Sequence, residues 1–145
     1  MVNKLSNLEF KSIYAKVPRL CVEIVVSSPQ GVLLTQRAIP PKIGFWHIPG
    51  GTVMFNESLK KALKRNTKRE LGVDVLSSKF LTMLEYYKTG STFGHDVSLV
   101  YLVKIKQKDI KVNNEASQAR YFKKLPTKIV KEHKQFLKHW MVDAS

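Results

Sequence analysis

The 145-residue sequence lacks the features that stabilise small secreted domains or anchor proteins in membranes. Its single cysteine, Cys21, excludes an intramolecular disulfide framework and a metal cluster built from several cysteines. No run approaches about 18 uninterrupted apolar residues, the length that a membrane-spanning helix needs. The N-terminal segment lacks an apolar signal core, and no repeat or long linker divides the chain. We therefore expect one domain over residues 1–145 in a cytoplasmic protein that has no membrane partner.

Acidic residues are scarce as well. The chain has 11 Asp and Glu residues against 25 Lys and Arg residues, so its formal net charge is +14 at pH 7. Such a field attracts polyanions, which include nucleotides, sugar nucleotides, RNA and anionic membrane surfaces. A basic surface that serves only solubility has the same composition, so charge by itself does not choose the partner. RNA stays a secondary candidate, because nothing that resembles an RNA-binding motif accompanies the lysines.

Helix and strand patterns alternate along the chain, which predicts α/β packing. The predicted helices cover residues 6–15, 56–71 and a C-terminal stretch from about residue 127. The predicted strands cover residues 20–26, 32–37, 80–87, 97–105 and 119–122. A short turn separates the first two strands, which are therefore expected to form a hairpin.

Capping residues predict where the helices begin and end. Ser6 and Glu9 have the spacing of a capping box, which would start a short helix within an N-terminal helical extension over residues 1–17. Asn56 is the expected N-cap of the second helix. Gly72 stands where a residue in the left-handed conformation would end that helix.

The most specific signal is a spaced motif, G-x5-E-x7-R-x4-E-x-G. Its residues are Gly51, Glu57, Arg65, Glu70 and Gly72. The motif resembles the Nudix box, of which five of the seven fixed positions are present. The preceding stretch 44–51 and the later stretch 119–126 resemble the family's lead-in and ending, so the likeness covers nearly the whole chain. It implies an α/β fold, a Nudix-type α/β/α sandwich with a mixed β-sheet.

The departures from the Nudix box concern its metal ligands. In the full box, three carboxylates on one side of the helix bind Mg²⁺ next to a diphosphate, and the corresponding residues here are Asn66, Arg69 and Glu70. Only Glu70 can supply a carboxylate, and Arg69 places a cation beside the expected ion. The resemblance therefore implies one Mg²⁺ ion, completed by water and substrate phosphates, rather than two or three ions.

This loss of acidic residues is similar to that in the GDP-mannose mannosyl hydrolases, a subgroup of the Nudix hydrolase superfamily. Carried over position by position, the likeness implies a metal site made of the Gly50 carbonyl, Glu70 and Glu115. It also implies that Glu23 and Arg37 contact the substrate. Arg37 would bind phosphate through its fixed fork of donors.

The catalytic candidates that the resemblance implies are Glu70 and Arg65. For Arg65, an ion pair with Glu57 that braces the loop against the helix is the alternative that we favour. The subgroup's catalytic histidine falls on Ala116, which has no proton to exchange. The alternatives for a general base are Glu85, His95 and unassisted water.

Several other side chains have both a functional and a packing interpretation. The candidates for stacking on a nucleobase are Phe45, Trp46, Tyr86 and Tyr87, although core packing is favoured for Trp46. His133, on the apolar face of the last helix, is expected to serve packing alone. Cys21 is expected to be a small buried hydrophobic residue.

The function that these residues favour is Mg²⁺-dependent hydrolysis of a nucleoside diphosphate linked to another group. Nucleotide sugars such as GDP-mannose are candidate substrates, and attack of water at phosphorus or at a sugar carbon is left open. The alternative is a catalytically inactive Nudix domain that binds nucleotide or RNA. The resemblance also implies a homodimer.

Overall fold

The structure, a computed structural model, describes residues 4–87, 94–106 and 109–143. The helices in these ranges are α1 (Asn7–Tyr14), α2 (Leu59–Leu71) and α3 (Lys131–Asp143). The strands are β1 (Arg19–Val25), β2 (Ser27–Ser28), β3 (Gly31–Arg37), β4 (Trp46–His47), β5 (Gly50–Thr52), β6 (Val75–Tyr87), β7 (His95–Ile105) and β8 (Ala116–Phe122). Helices thus alternate with strands, as the sequence pattern predicts.

The strands form two sheets. The first has the order β5-β1-β7-β6 and is mixed, because β1 and β7 run parallel whereas the other neighbours are antiparallel. In the second sheet β3 pairs antiparallel with β2, β4 and β8. The expected α/β fold with a mixed sheet is confirmed.

Two apolar clusters lie on opposite sides of β1. In the first, Ile24 packs with Leu63 of α2, and in the second Val25 packs with Leu137 of α3. Trp46 is buried in the second cluster, at 7% exposure, as predicted. Since successive residues of β1 enter different clusters, this strand lies in the middle layer between the two helices.

The predicted hairpin between residues 20–26 and 32–37 is present only near its turn. There β2 pairs antiparallel with the start of β3, and the Leu33 N–H donates to the Val26 carbonyl at 2.9 Å. Beyond the turn the prediction is wrong, because β1 and β3 belong to different sheets. β1 is covered on both faces, so the backbone N–H and C=O groups along both of its edges are buried and need hydrogen-bond partners. It finds them in β5 and β7, which no local pattern could indicate.

Capping explains where α1 and α2 begin and end. The Ser6 hydroxyl accepts a hydrogen bond from the Glu9 N–H at 3.2 Å, and the Glu9 carboxylate accepts from the Ser6 N–H at 2.9 Å. This confirms the predicted capping box. The N-cap of α2 is Ser58 rather than Asn56, which instead has a positive φ of 61°. Gly72 ends α2 with a φ of 69°, as predicted.

Other elements differ from expectation in their extent. α3 begins at Lys131 rather than near residue 127, and β6, β7 and β8 are longer than their apolar stretches suggested. Strand pairing extends them: β6 and β7 pair from Val75 and Ile105 to Tyr87 and His95, with two register shifts on the way. Within the ranges described, no helix has the length and apolar character needed to cross a membrane.

Candidate functional site

A cleft of about 1010 Å³ is lined by residues from both ends of the chain. This volume lies at the upper end of the range, roughly 300–1,000 Å³, that is usual for small-molecule sites. The cleft is lined by each of the site residues predicted from the sequence, which are Glu23, Arg37, Gly50, Arg65, Glu70 and Glu115. The fold therefore brings together residues that lie 92 positions apart in the sequence, from Glu23 to Glu115.

Two glycines allow β5 to pass close to β1 and α2. A Cβ atom on Gly50 would lie 2.3 Å from a carbonyl oxygen of β1, and one on Gly51 would lie 2.1 Å from Asn66 Oδ1. A side chain at position 50 would overlap the backbone of β1, and one at position 51 would require Asn66 to move. Because Gly50 is the register partner of Glu23 and Gly51 touches α2, the glycine pair holds the strand carboxylate and the α2 residues in one cleft.

Glu70 lies near the end of α2 and is 7% exposed. Arg69 Nη2 donates to Glu70 Oε1 at 3.1 Å, and Asn113 Nδ2 donates to Oε2 at only 3.5 Å. Burial raises the pKa of Glu70, with the Arg69 guanidinium opposing the rise and the Glu115 carboxylate adding to it. Glu70 is thus a buried carboxylate that few donors satisfy.

Pairing between β3 and β8 brings Glu115 beside Arg37. The Glu115 carbonyl accepts from the Ala38 N–H at 2.9 Å, and Arg37 is the register partner of Ala116. The side chain of Glu115 is exposed, and its charge acts on both Arg37 and Glu70. These two carboxylates and one guanidinium therefore share one part of the cleft.

The loop that follows β3 holds Arg37 in place. Arg37 Nε donates to the Pro41 carbonyl at 2.6 Å, and Nη2 donates to the Pro40 carbonyl at 3.2 Å. Burial lowers the pKa of Arg37, while Glu115 and Glu70 oppose that change. The guanidinium is thereby anchored by backbone oxygens while it lines the cleft.

Arg65 makes a two-point ion pair with Glu57. Its Nε donates to Glu57 Oε2 at 2.6 Å and its Nη2 to Oε1 at 2.9 Å, while Nη2 also donates to the Thr52 carbonyl at 2.7 Å. Glu57 Oε1 in turn accepts from the Met54 N–H at 3.1 Å. These contacts join the loop after β5 to α2 and support the bracing interpretation. A catalytic role for Arg65 stays a prediction.

Asn66 and Arg69, which stand where the full motif has acidic residues, make hydrogen bonds within α2. Asn66 is fully buried, and its Nδ2 donates to the Ala62 carbonyl at 2.9 Å. Arg69 Nη2 lies 3.4 Å from Asn66 Oδ1 and 3.1 Å from Glu70 Oε1. Over the residues described, no three or more His, Cys, Asp or Glu side chains are grouped so that they could hold a metal ion.

Glu23 belongs to a buried hydrogen-bond network that the sequence analysis missed. The Tyr86 hydroxyl donates to Glu23 Oε1 at 2.7 Å, and His133 Nε2 lies 2.6 Å from the same oxygen. His133 Nδ1 accepts from the Ile48 N–H at 3.0 Å, so the ring proton is on Nε2, which donates to Glu23. The prediction that His133 serves packing alone is wrong. The sequence signal that could have indicated a hydrogen-bonding role was a single histidine on the apolar face of the last helix.

His47 is the second cleft residue that sequence reasoning missed. Its Nδ1 donates to the Ile48 carbonyl at 2.9 Å, and its Nε2 accepts from the Thr35 hydroxyl at 3.1 Å. Burial, with a further contribution from His133, lowers the pKa of His47 to about 3. The His47 ring is therefore neutral near pH 7.

The residues that form this cleft lie mostly within a segment that matches a family of known proteins. The NUDIX domain model matches residues 17–140, which is most of the chain. The chain belongs to the Nudix family. The segment from Gly51 to Gly72, which resembles the Nudix box, lies within the matched residues.

Relatives and solved structures agree with the Nudix assignment. The low-salt glycan biosynthesis protein Agl8 of Haloferax volcanii is 35% identical over 119 residues, which cover 79% of this chain and 76% of that protein. An ADP-ribose pyrophosphatase of Methanocaldococcus jannaschii is 27% identical over 128 residues, or 86% of this chain and 73% of that protein. The crystal structure of a MutT NUDIX hydrolase from Burkholderia pseudomallei has a TM-score of 0.76 at 23% identity, covering 85% and 98% of the two chains.

The two side chains suggested as general bases lie away from the Nudix cleft. Glu85 is exposed and accepts a hydrogen bond from the Tyr87 hydroxyl, whereas its neighbour Tyr86 points to Glu23. His95 stacks on Tyr87, with ring centroids 4.9 Å apart. Neither Glu85 nor His95 lines the cleft. A role for either side chain as the general base stays a prediction.

The aromatic residues of the cleft also differ from those that the sequence analysis named. Trp46 is in the core, and Tyr86 is engaged with Glu23. Tyr86 lines the cleft together with three aromatic residues that were not considered: Phe10, Tyr14 and Phe55. Phe10 and Tyr14 belong to α1, which ends before the segment that matches the NUDIX model.

Proposed function

We propose that this Nudix protein is a Mg²⁺-dependent hydrolase of nucleoside diphosphates linked to another moiety. The observation that carries the proposal is the meeting of Glu70, Glu115 and Arg37 in a cleft large enough for a nucleotide. Carboxylates supply ligands for a hard cation. Two of the five N–H groups of Arg37 donate to the Pro40 and Pro41 carbonyls, and the others can donate to a phosphate. Nudix hydrolases generally use divalent metal ions.

The donor set fits one Mg²⁺ ion rather than a cluster of ions. Glu70 is buried with few donors, Glu115 is exposed beside it, and the Gly50 backbone lines the same cleft. We assign Glu70, Glu115 and the Gly50 carbonyl as ligands, since Mg²⁺ accepts few protein oxygens and keeps several waters. When bound, the ion would act as a Lewis acid that neutralises diphosphate charge.

Glu23 and Arg37 are the proposed contacts to the substrate. Two neutral donors hold the Glu23 carboxylate in the cleft wall, where it can accept a hydrogen bond from a hydroxyl or N–H group of the linked moiety. The names of the two relatives refer to glycan biosynthesis and to ADP-ribose. Both names support a nucleotide that carries a sugar, and GDP-mannose is one candidate.

The test is a substrate panel assayed with and without Mg²⁺. Nucleoside triphosphates, dinucleotides and nucleoside-diphosphate sugars are incubated with the wild type and with Glu70→Gln, and the products are quantified. We expect Glu70→Gln to lower turnover about a hundredfold, because the ion loses its buried anionic ligand. Binding of Mn²⁺, measured by electron paramagnetic resonance in the presence of nucleotide, should weaken in parallel.

Glu85→Gln is the matched control, because it removes an exposed carboxylate that lies outside the cleft. It should keep both turnover and Mn²⁺ binding. Turnover by Glu70→Gln equal to that of the wild type would contradict the proposed metal site. Tight binding of nucleotide or RNA that a chelator does not change, with no turnover of any compound, would instead support a catalytically inactive Nudix domain.

A further inference from the structure

His133 lies where the apolar face of α3 meets the cleft. Glu23 and Val25 are two residues apart on β1 and point to the same side of the strand, while His133 and Leu137 are four residues apart on one face of α3. Leu137 and Val25 belong to one buried cluster. Packing of this apolar pair therefore places the preceding turn of α3 against Glu23. The contact is close, since His133 Nε2 lies 2.6 Å from Glu23 Oε1.

Three side chains form a closed triangle at this point. The Tyr86 hydroxyl lies 2.7 Å from Glu23 Oε1 and 2.7 Å from His133 Nε2. Burial raises the pKa of Tyr86, and the Glu23 carboxylate adds to the rise, so the hydroxyl keeps its proton. His133 Nε2 carries the ring proton, because Nδ1 accepts from the Ile48 N–H at 3.0 Å. Tyr86 and His133 are therefore donors, and the carboxylate is their acceptor.

The two donors occupy one oxygen of the carboxylate and leave the other accessible. Oε1 accepts at 2.6 and 2.7 Å, which uses both of its lone pairs. Oε2 lies 3.0 Å from the Tyr86 hydroxyl, whose single proton is closer to Oε1. Within residues 4–87, 94–106 and 109–143, no protein donor other than Tyr86 lies within hydrogen-bond distance of Oε2. Because Glu23 lines the cleft, Oε2 can accept a hydrogen bond from a ligand.

The Glu23 carboxylate lies beside the proposed metal site. Gly50, whose carbonyl is a proposed ligand, is the register partner of Glu23, and a Cβ atom on Gly50 would lie 3.2 Å from Glu23 Cγ. A ligand group at Oε2 would therefore adjoin the diphosphate. A further phosphate does not fit there, because the carboxylate would repel it and both donors to the carboxylate are neutral. A hydroxyl group is a neutral donor that fits this position.

We propose that Tyr86 and His133 are positioning residues, which hold Glu23 Oε2 so that it binds a hydroxyl group next to the diphosphate on the linked moiety. The proposal rests on the proposed function for the identity of the substrate, and it narrows the linked moiety to a hydroxyl-bearing group such as a sugar. His133 has a second contact, because its bond to Ile48 holds the segment that leads into Gly50. One imidazole thus joins Glu23 and that segment to α3.

Two substitutions at position 133 separate these contacts. The amide nitrogen of glutamine reaches about as far as Nε2 and can donate to Glu23, whereas the amide oxygen of asparagine lies about where Nδ1 lies and can accept from the Ile48 N–H. Each variant keeps one hydrogen bond of His133 and loses the other. We therefore expect His133→Gln and His133→Asn to lose similar thermal stability, measured by circular dichroism, although only His133→Asn releases Glu23.

The kinetic test compares a substrate with the fragment that lacks its linked moiety. KM and kcat are measured with Mg²⁺ for GDP-mannose or ADP-ribose, whichever the wild type hydrolyses faster, and Ki for the corresponding GDP or ADP. Tyr86→Phe and His133→Asn should raise KM about tenfold and change kcat less than about twofold, because binding of the hydroxyl group is weakened uniformly. His133→Gln should keep KM within about threefold of the wild type. Ki should stay unchanged in all three variants.

Tyr87→Phe is the matched control for Tyr86→Phe. It removes a neighbouring tyrosine hydroxyl that also donates to a glutamate, Glu85, but outside the cleft, so KM should equal that of the wild type. The proposal is overturned if Tyr86→Phe keeps the wild-type KM, or if His133→Asn and His133→Gln change KM equally. A rise of Ki as large as that of KM would overturn it too, because the variants would then disturb the whole cleft.

The outcome separates this proposal from the proposed function. If the wild type turns over no compound, the hydrolase is contradicted, and dissociation constants of the same four ligands, measured by calorimetry, replace KM and Ki. Weaker binding of the nucleotide sugars alone by Tyr86→Phe and His133→Asn would then still support the positioning residues. If the wild type binds neither nucleotide sugar more tightly than its nucleoside diphosphate, the positioning proposal is overturned.

Discussion

Two carboxylates in the same cleft have equal exposure but opposite surroundings. Glu23 and Glu70 are each 7% exposed. Glu23 accepts from two neutral donors, the Tyr86 hydroxyl at 2.7 Å and His133 Nε2 at 2.6 Å. Glu70 has a cation beside it, Arg69 at 3.1 Å, and one long contact from an amide at 3.5 Å. Burial alone therefore does not distinguish the roles of these two groups.

The difference lies in how completely each carboxylate is satisfied. A buried carboxylate is costly unless it is hydrogen-bonded or paired with a positive charge. The protein supplies short hydrogen bonds to Glu23 from β6 and α3, so this group is held as a rigid acceptor. It supplies less to Glu70, which is consistent with a group that binds an ion from solution.

The largest expected effect comes from His133→Leu, which disrupts the surroundings of Glu23. The substitution removes the imidazole that donates to Glu23 and accepts from the buried Ile48 N–H. We expect the free energy of unfolding to fall by about 3–5 kcal/mol in a denaturant titration. The control is His139→Leu on the same helix, an exposed position where the change should stay within about 0.5 kcal/mol. Equal losses in both variants would show that the network does not stabilise the fold.

Glu57 is a third carboxylate to compare with Glu23 and Glu70. Its partner, Arg65, is positively charged. Glu57→Gln should lower the free energy of unfolding by about 2–3 kcal/mol at pH 7, because hydrogen bonds to a charged group are lost. The Asp74→Asn variant, at an exposed ion pair with Lys68, should change it by less than about 1 kcal/mol.

The difference in the free energy of unfolding between the wild type and Glu57→Gln should decrease as the pH is lowered. The side-chain hydrogen bond from Arg65 is the main cause that holds the pKa of Glu57 below its ordinary value of 4.5. A carboxyl group with a lowered pKa stabilises the folded state above the ordinary pKa, and that contribution is lost as the pH falls through the folded-state value. Unfolding curves of the wild type and Glu57→Gln should therefore converge as the pH is lowered below about 4.5. A constant gap between pH 7 and pH 3 would contradict this origin.

Arg69→Gln tests whether the cation beside Glu70 competes with a metal ion. Removing that charge should tighten Mn²⁺ binding by about five- to tenfold, because repulsion between like charges is relieved. The matched control is Lys64→Gln, an exposed basic residue of α2 that does not line the cleft. If both variants change Mn²⁺ affinity equally, the effect comes from net charge rather than from contact with Glu70.

The smallest effect is expected for Glu115→Gln. Its side chain is exposed, so water screens its charge more than that of Glu70. We expect Mn²⁺ affinity to fall by about threefold, measured by the same titration. A loss as large as that of Glu70→Gln would make Glu115 an equal ligand, and no change at all would remove it from the proposed metal site.

Local patterns predicted much of this molecule. The capping box at Ser6 and the left-handed stop at Gly72 depend on contacts within one or two helical turns, and both are present. The spacing of the Nudix box likewise predicted that Glu70 and Arg65 lie on one helix near the glycines. The wrong N-cap at Asn56 shows the limit of such reasoning, since Ser58 offers the same chemistry two residues later.

Long-range contacts could not be predicted in this way. The predicted hairpin is formed only near its turn, because sequence alternation does not reveal that β5 and β7 pair with the edges of β1. The packing interpretation of His133 failed because its partner Glu23 is 110 residues away. The resemblance to known Nudix enzymes, rather than any local pattern, indicated that Glu115 would lie near Glu70.

The order of residues alone determined the helices, most strands, the Nudix box and the basic charge, because these depend on near neighbours and on composition. Tertiary structure alone decided the surroundings of each carboxylate, the engagement of both cleft histidines and the aromatic lining from α1. The physical reason is that a buried polar side chain depends on the groups that packing brings against it. Those groups come from strands and helices far apart in the chain, and only the sheet order sets which of them meet.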